Sequence, residues 1–298
     1  MMFYFLVNLK CKKAQLHADS IAERMKSLGR EYEFLYSKKV GDLGEFAKDL
    51  ESKGAKNIIV MGGDGSINEV LNGIESPENI NLGIIPIGTG NDFAKSANIP
   101  KDPLKALQII LDNNIVSVDY MYTDTMRAIN TISIGIDIEV LTRYNKKKKK
   151  SKSSYYRALI ASLFKYRCIS MQFQVDDTIL ELDRYFVAVA ANGKYFGGNM
   201  MISPHSIIND GKIHFVAVKH FPFYKIPFAL MGFIKGKHIK KKYTQEIVCD
   251  SVICSLNDYK NPENLQVVNY DGELRDKNKF EIKLKKGGCK MYLPMYNA

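Results

Sequence analysis

Over about the first 120 residues, short apolar runs alternate with stretches of helical periodicity, a pattern that implies parallel strands covered by helices. Phe3-Tyr4-Phe5-Leu6-Val7 reads as a buried strand, and Ala18, Ile21, Ala22, Met25 and Leu28 then fall at helical spacing before Gly29. Tyr32 to Tyr36 is a second strand, and Leu43, Phe46, Ala47 and Leu50 mark the next helix. Ile58-Ile59-Val60-Met61 is apolar without alternation, as expected of a strand buried on both faces. Ile67, Val70, Leu71 and Ile74 continue as a helix, and Leu82 to Ile87 is a further strand containing Pro86.

After about Asp119 the pattern changes. Met171 to Val175, Tyr185 to Ala191, Lys212 to Val218, Ile247 to Leu256, Leu265 to Tyr270 and Phe280 to Leu284 all read as strands. Several are bounded by Asp-Gly or Asn-Gly turns. Helical pattern is confined to about Tyr155–Phe164 and Ile226–Ile234. The fold class expected is α/β plus all-β: an α/β domain with a parallel sheet over residues 1–122, then an antiparallel β-sandwich over residues 123–298. The last strands of the second are candidates to pack back on the first. No apolar run approaches the ~20 residues of a membrane span.

The strongest chemical signal is Gly62-Gly63-Asp64-Gly65-Ser66-Ile67-Asn68-Glu69, set between a buried strand and a helix. Its glycines let backbone N–H groups approach a phosphate, and a helix N-terminus favours negative charge. Ser66 is placed to cap that helix, and with Glu69 three residues later it satisfies a capping box. Gly88-Thr89-Gly90-Asn91-Asp92 repeats the logic after the next strand, with Asp92 suited to orienting a metal or water. In open parallel sheets, ligands lie beyond the carboxyl ends of the strands.

Together, Gly62 to Val70 and Gly88 to Ala94 resemble the diacylglycerol kinase catalytic-domain superfamily, which includes bacterial diacylglycerol kinases, related lipid kinases, and sphingosine and ceramide kinases. Further segments are similar to later blocks of that family: Asn130 to Asp137, Ala191-Asn192-Gly193, Gly197 to Pro204, Asn209-Asp210-Gly211 and Asp271-Gly272-Glu273. The family's glycine-rich Asn-Pro-x-Ser-Gly loop after the first strand is reduced here to Asn8, followed by Leu9-Lys10-Cys11-Lys12-Lys13.

The resemblance implies that ATP binds in a cleft between the α/β domain and the sandwich. It places nucleotide contacts at Asn8, at Ser37, along Gly62, Gly63, Asp64, Gly65, Ser66, Ile67, Asn68 and Glu69, and at Gly88, Thr89 and Asn91. It implies an acidic network of Asp64, Asp92, Asp137 and Asp271 around catalytic Mg2+, with Glu273 or Asp271 taking the proton of the attacking hydroxyl. It implies a separate structural Mg2+ on the Asp210 carboxylate and the carbonyls of Ile207 and Lys212. The reaction implied is transfer of the γ-phosphoryl group of ATP to a lipid hydroxyl, with diacylglycerol the default acceptor and phospholipid biosynthesis the setting.

The net charge of +11 suits an anionic partner. Two lysine clusters, Lys146 to Lys150 with Lys152 and Lys235 to Lys242, together with Phe223, Phe228 and Phe233, are expected to meet an anionic membrane surface. The five cysteines are scattered, with no C-x-x-C pair, so reduced thiols in a cytoplasmic, peripherally membrane-associated protein are expected. A homodimer is left open. A NAD kinase-like or other small-molecule kinase is the first rival. A non-catalytic module binding nucleotide or nucleic acid is the second; it explains the lysines but not the ordered acidic motifs, and no nucleic acid is expected.

Overall fold

The computed structural model describes residues 1–147, 151–256, 267–276 and 279–295. The chain divides into two compact units, Met1–Tyr120 with Lys286–Ala298, and Met121–Lys285.

The first unit is an α/β layer structure. Its elements are β1 (Met2–Val7), α1 (Ala14–Ser27), β2 (Glu31–Tyr36), α2 (Asp42–Ser52), β3 (Asn57–Gly62), α3 (Asp64–Gly73), β4 (Asn81–Pro86), α4 (Asp92–Ser96), α5 (Pro103–Leu111) and β5 (Ile115–Tyr122). The parallel strands lie in the order β2-β1-β3-β4, in the register Phe34↔Phe5↔Ile59↔Gly83. Every residue of β3 is buried, as its unbroken apolar run requires. Helix α1 turns Ala14, Ala18, Ile21 and Met25 inward, a 4-3-4 spacing that gives one apolar face. Helices α2 and α3 approach backbone to backbone. A Cβ on Gly73 would lie 2.3 Å from the Gly44 carbonyl oxygen, so only glycine fits there.

The strand order decides where a ligand can sit. From β1 the chain goes to one side for β2 and returns to the other side for β3. The connections leaving β1 and β3 therefore diverge and open a crevice at the carboxyl ends of the strands.

The second unit contains β6 (Arg127–Ala128), β7 (Thr131–Gly135), α6 (Ile136–Asn145), α7 (Lys152–Lys165), β8 (Ile169–Val175), β9 (Thr178–Ala191), β10 (Tyr195–Phe196), β11 (Met200–Met201), β12 (Ile213–Lys219), α8 (Ile226–Ile234), β13 (Thr244–Cys249), β14 (Ser251–Leu256), β15 (Val267–Tyr270), β16 (Glu273–Asp276) and the start of β17 (Lys279–Tyr292). One antiparallel sheet runs β16-β15-β7-β9-β12-β13. A second runs β9-β8-β14-β17, and the 14-residue β9 serves both. From Val187 onward the side chains of β9 alternate, and an irregularity in the pairing with β12 just before it puts Tyr185 on the same face as Ala188. Tyr185, Ala188 and Ala190 of β9 face the sandwich core with Phe173, Phe215 and Val252. Val187, Val189 and Ala191 face the opposite way, against Val140, Leu159, Ala229 and Phe233 of the helices.

Three sequence expectations are corrected here. Ile247 to Leu256 is not one strand. It breaks at Asp250, and its halves pair with different neighbours, β12 on one side and β8 and β17 on the other. Helix is not confined to two segments, since α6 follows β7 directly. Gly135, at φ 136°, ends the strand in a backbone conformation that a β-branched residue would resist, and the helix starts at the next residue. Phe233 is buried at 7% exposure and cannot insert into a membrane, whereas Phe228 is 80% exposed. The side chains of Phe223 and Lys152, and all of residues 148–150, lie outside the described residues.

Candidate active site

In the first unit the two glycine loops touch. A Cβ on Gly88 would fall 2.5 Å from the Gly63 Cα, so the loops after β3 and β4 meet only because both residues are glycine. The Gly62 carbonyl accepts the amides of Ile87 and Gly88 at 3.0 and 3.2 Å. Asn8, at the end of β1, donates through Nδ2 to the Ser66 hydroxyl at 2.8 Å, and its Oδ1 accepts the Lys10 amide at 3.0 Å. The crevice between the diverging connections is therefore lined by Asn8, Gly62, Gly63, Asp64, Gly65 and Ser66, with exposed Lys10, Lys12 and Lys13 on the adjoining loop. Ser37 ends β2, where its amide donates to the Val7 carbonyl. Thr89 is exposed at the tip of the second loop.

Asp64 holds the two loops together. Its Oδ1 accepts the Phe93 amide at 3.0 Å, at the start of α4. Burial pushes its pKa above the ordinary carboxylate value, against the lowering effect of the amides of Phe93, Asp92 and Asn91. Asn91 sits in the left-handed region at φ 58° and donates to the carbonyls of Gly88 and Pro86 at 3.0 and 3.3 Å. Its Oδ1 is buried and accepts no hydrogen bond from the described residues. A Cβ on Gly90 would lie 3.0 Å from Asp64 Oδ2 and 3.7 Å from Asp92 Oδ2, so the two carboxylates face one spot.

The capping box is not formed. Helix α3 begins at Asp64 with Gly63 as its N-cap and no side-chain cap, which places Ser66 inside the first turn. Glu69 turns away: its Oε1 accepts the Leu43 amide at 2.8 Å and caps α2 instead. Ile67 and Asn68 are buried at 2% and 0% exposure, which leaves only their backbone for a ligand. Sequence spacing alone does not register that α2 offers an unsatisfied amide closer to Glu69 than its own N-cap.

In the second unit the late motifs converge. Asp271 and Gly272, at φ 52° and 100°, form the two-residue turn between β15 and β16. The Asp271 carboxylate accepts three consecutive backbone amides, from Ile129, Asn130 and Thr131, at 2.7, 3.1 and 2.7 Å. Asn192 Nδ2 donates to the Ile129 carbonyl at 2.8 Å, and Asn130 Nδ2 to the Tyr195 carbonyl at 2.9 Å. Glu273 is half-buried, and its carboxylate lies 3.9 Å from the Arg275 guanidinium.

Asp137 stands apart from that turn but is linked to it. Its Oδ2 accepts from Ser133 Oγ at 2.8 Å and from Asn269 Nδ2 at 2.9 Å, while Asn269 Oδ1 accepts the Gly272 amide at 2.7 Å. Asn269 was not singled out from the sequence; its one signal is a polar residue inside the apolar strand Val267–Tyr270. The other Asp137 oxygen, Oδ1, is buried and has no hydrogen-bond partner among the described residues. Burial raises the pKa of this carboxyl, with Asn269 and Ser133 opposing. Asp137 is the one charged residue lining an apolar groove formed by α6, α7, α8, β9 and the β10–β11 hairpin, among them Val140, Leu159, Phe196, Met200 and Phe233. The groove's cavity volume is about 40 Å³, and all its atom-free space, open solvent included, comes to about 510 Å³.

Among the described residues no three His, Cys, Asp or Glu side chains group to hold a metal by themselves. The Asp64–Asp92 pair nevertheless fits magnesium, which is held by one or two carboxylates together with phosphate oxygens and water. Asp210, Ile207 and Lys212 lie in one turn, and the Asp210 carboxylate and the Ile207 carbonyl already have partners. Asp210 Oδ1 accepts the Lys212 amide at 3.0 Å, Oδ2 lies 3.1 Å from His214 Nε2, and the Ile207 carbonyl accepts the Asp210 amide at 3.5 Å. A hard cation there would compete with the histidine.

Comparisons with known proteins agree with this division. Residues 2–123 match the diacylglycerol kinase catalytic domain, and residues 130–285 match the YegS C-terminal NAD kinase beta sandwich-like domain. A Cronobacter sakazakii protein named "Probable lipid kinase YegS-like" is 30% identical over 58% of this chain and 60% of its own length. A Staphylococcus carnosus diacylglycerol kinase is 28% identical over 73% of this chain and 72% of its own. The crystal structure of a diacylglycerol kinase from Bacillus anthracis str. Sterne superposes with a TM-score of 0.74 at 21% identity, covering 98% of this chain and 97% of that one. An Archaeoglobus fulgidus NAD kinase shares the fold more distantly, with a TM-score of 0.55 at 14% identity over 98% of this chain and 93% of that one. With a catalytic-domain match on the first unit and a sandwich match spanning more than half of the chain, this protein belongs to the diacylglycerol kinase and YegS-like lipid kinase family.

Proposed function

We propose that the protein transfers the γ-phosphoryl group of ATP to the hydroxyl of a membrane lipid, with diacylglycerol as acceptor and phosphatidic acid as product. The observation that carries the lipid assignment is the apolar groove of the second unit, whose described lining includes one carboxylate, Asp137, with a buried oxygen. Such a site suits an acyl chain with a hydroxyl at one end, because the unpartnered Asp137 Oδ1 gains a donor when the hydroxyl arrives. The cavity has room for only about three waters, so a chain fills it as the helix side chains move aside.

The crevice of the first unit holds the triphosphate. The backbone of Gly63 to Ser66 approaches it without side-chain hindrance, and Asn8 fixes the Ser66 hydroxyl toward it. Asp64 and Asp92 would hold magnesium, which when bound neutralises charge on the transferring phosphate. Glu273 takes the proton of the acceptor hydroxyl once that hydroxyl has turned from Asp137 toward the phosphate. Asp271 is the poorer candidate for that step, because three amides hold its carboxylate in the turn. General-base assistance of this kind contributes roughly 10²–10⁴-fold.

The test is incorporation of labelled phosphate from ATP into a panel of short-chain diacylglycerol, long-chain diacylglycerol in vesicles, other lipid alcohols and NAD. The reading expects a lipid product. Turnover of NAD and of no lipid would overturn it.

A further inference from the structure

Helix α8 is apolar on both sides. Ala229 and Phe233 are buried against the sheet and, with Ile226 and Leu230, line the groove. Phe228 and Met231 face solvent at 80% and 53% exposure, and Tyr224, in the turn just before the helix, is 71% exposed. Positions 228 and 231 are three apart and share one helical face, and Tyr224 stands in the 3-10 turn that leads into it. Leaving three large apolar side chains in water on one turn-and-helix segment costs solvation free energy, and contiguous patches of this kind mark interaction sites. The surrounding chain supplies the charge. Residues 221–243 contain six lysines and no acidic residue, and Lys225, Lys235, Lys237, Lys240, Lys241 and Lys242 are all exposed.

We infer that the outer face of α8 docks on an anionic bilayer and delivers an acyl chain to the groove that the inner face of the same helix lines. An apolar stripe bordered by lysines matches the two layers of such a surface, acyl chains below and anionic headgroups above. A protein partner would leave the groove on the inner face of the same helix without a use. A bilayer uses both faces, since a chain leaving it at α8 passes from one apolar surface to another. This rests on the reading that the groove takes an acyl chain.

The chain has no tryptophan, so Phe228→Trp gives a single reporter on the exposed face. On vesicles of equimolar phosphatidylglycerol and phosphatidylcholine at low salt, its emission shifts to the blue and is quenched by brominated acyl chains. The shift is lost at high salt and is small on pure phosphatidylcholine. A Phe228→Ser, Met231→Ser variant keeps the melting temperature and the turnover of dioctanoylglycerol in solution. It loses about tenfold or more of turnover on long-chain diacylglycerol in the anionic vesicles. Unchanged emission on vesicles with which the protein sediments would overturn the inference, as would a double variant equal to the parent on vesicle substrate. The emission reports docking without catalysis, so a failure of the kinase reading is told apart from a failure of this one.

Discussion

The Asn8 side chain donates to the Ser66 hydroxyl across 58 positions of sequence, joining the end of β1 to the first turn of α3 at the point where the strand order reverses. One hydrogen bond of this kind contributes about 0.5–1.5 kcal/mol. Asn8→Ala is expected to raise the KM for ATP by about two- to tenfold with kcat nearly unchanged, because it frees the hydroxyl without removing it. Steady-state kinetics at varied ATP check this, and an unchanged KM would take Asn8 out of the phosphate site.

Asp64 both ties the loops and faces Asp92, so its replacement must keep an acceptor for the Phe93 amide. Asp64→Asn does so. Turnover is expected to fall by about 10² or more, because one of the two carboxylates that would hold magnesium is lost. The raised native pKa fixes the sign of the stability effect. The parent's contribution from Asp64 is present below the unfolded-state pKa and is lost as pH rises through the native one. The asparagine variant should therefore gain on the parent as pH rises from 4 to 8 in thermal melts.

The turn between β15 and β16 separates two roles. Asp271→Asn weakens three charge-assisted hydrogen bonds, and about 2–3 kcal/mol of stability should go with the activity. Glu273 makes no comparable contact. Glu273→Gln is expected to melt like the parent while kcat falls by about 10²–10⁴. Parent-like turnover in Glu273→Gln would move the base elsewhere.

Magnesium at Asp210 would compete with an existing partner, His214. If the turn does bind it, magnesium raises the melting temperature of the parent and not of Asp210→Ala. Equal shifts in both would put the stabilising ion at another site.

His238 follows α8 and donates from Nε2 to the Ile202 carbonyl at 2.9 Å, with its ring 4.4 Å from that of Phe233. Burial lowers its pKa. A histidine kept neutral in the fold contributes stability above its unfolded pKa, near 6.5, that is lost as pH falls below that value, by at most about 1.4 kcal/mol per pH unit. Melting temperatures between pH 7.5 and 5.5 should fall more for the parent than for His238→Gln. Parallel curves would contradict this.

The α/β unit was legible because its signals are local. Burial on both faces writes an unbroken apolar run into β3, helical period writes Leu43, Ala47 and Leu50 into α2, and glycine marks each close approach. The sandwich was legible from period two, and the two glycine loops were legible as a pair before their contact was known. The partners of the site's side chains were not legible. Glu69 and Ser66 have the spacing of a capping box, yet Glu69 caps α2, because packing at Gly44 and Gly73 brings that helix end within reach. Asp271 reads equally well as a turn or as a carboxylate at work. Only the fold shows it holding Ile129 to Thr131, more than 130 positions earlier. The apolar stripe of α8 looked uniform in sequence, and burial divided it into Phe233 inside and Phe228 outside. Spacing along one element fixes which residues share a face. What that face meets depends on elements distant in the chain, and only tertiary packing brings those together.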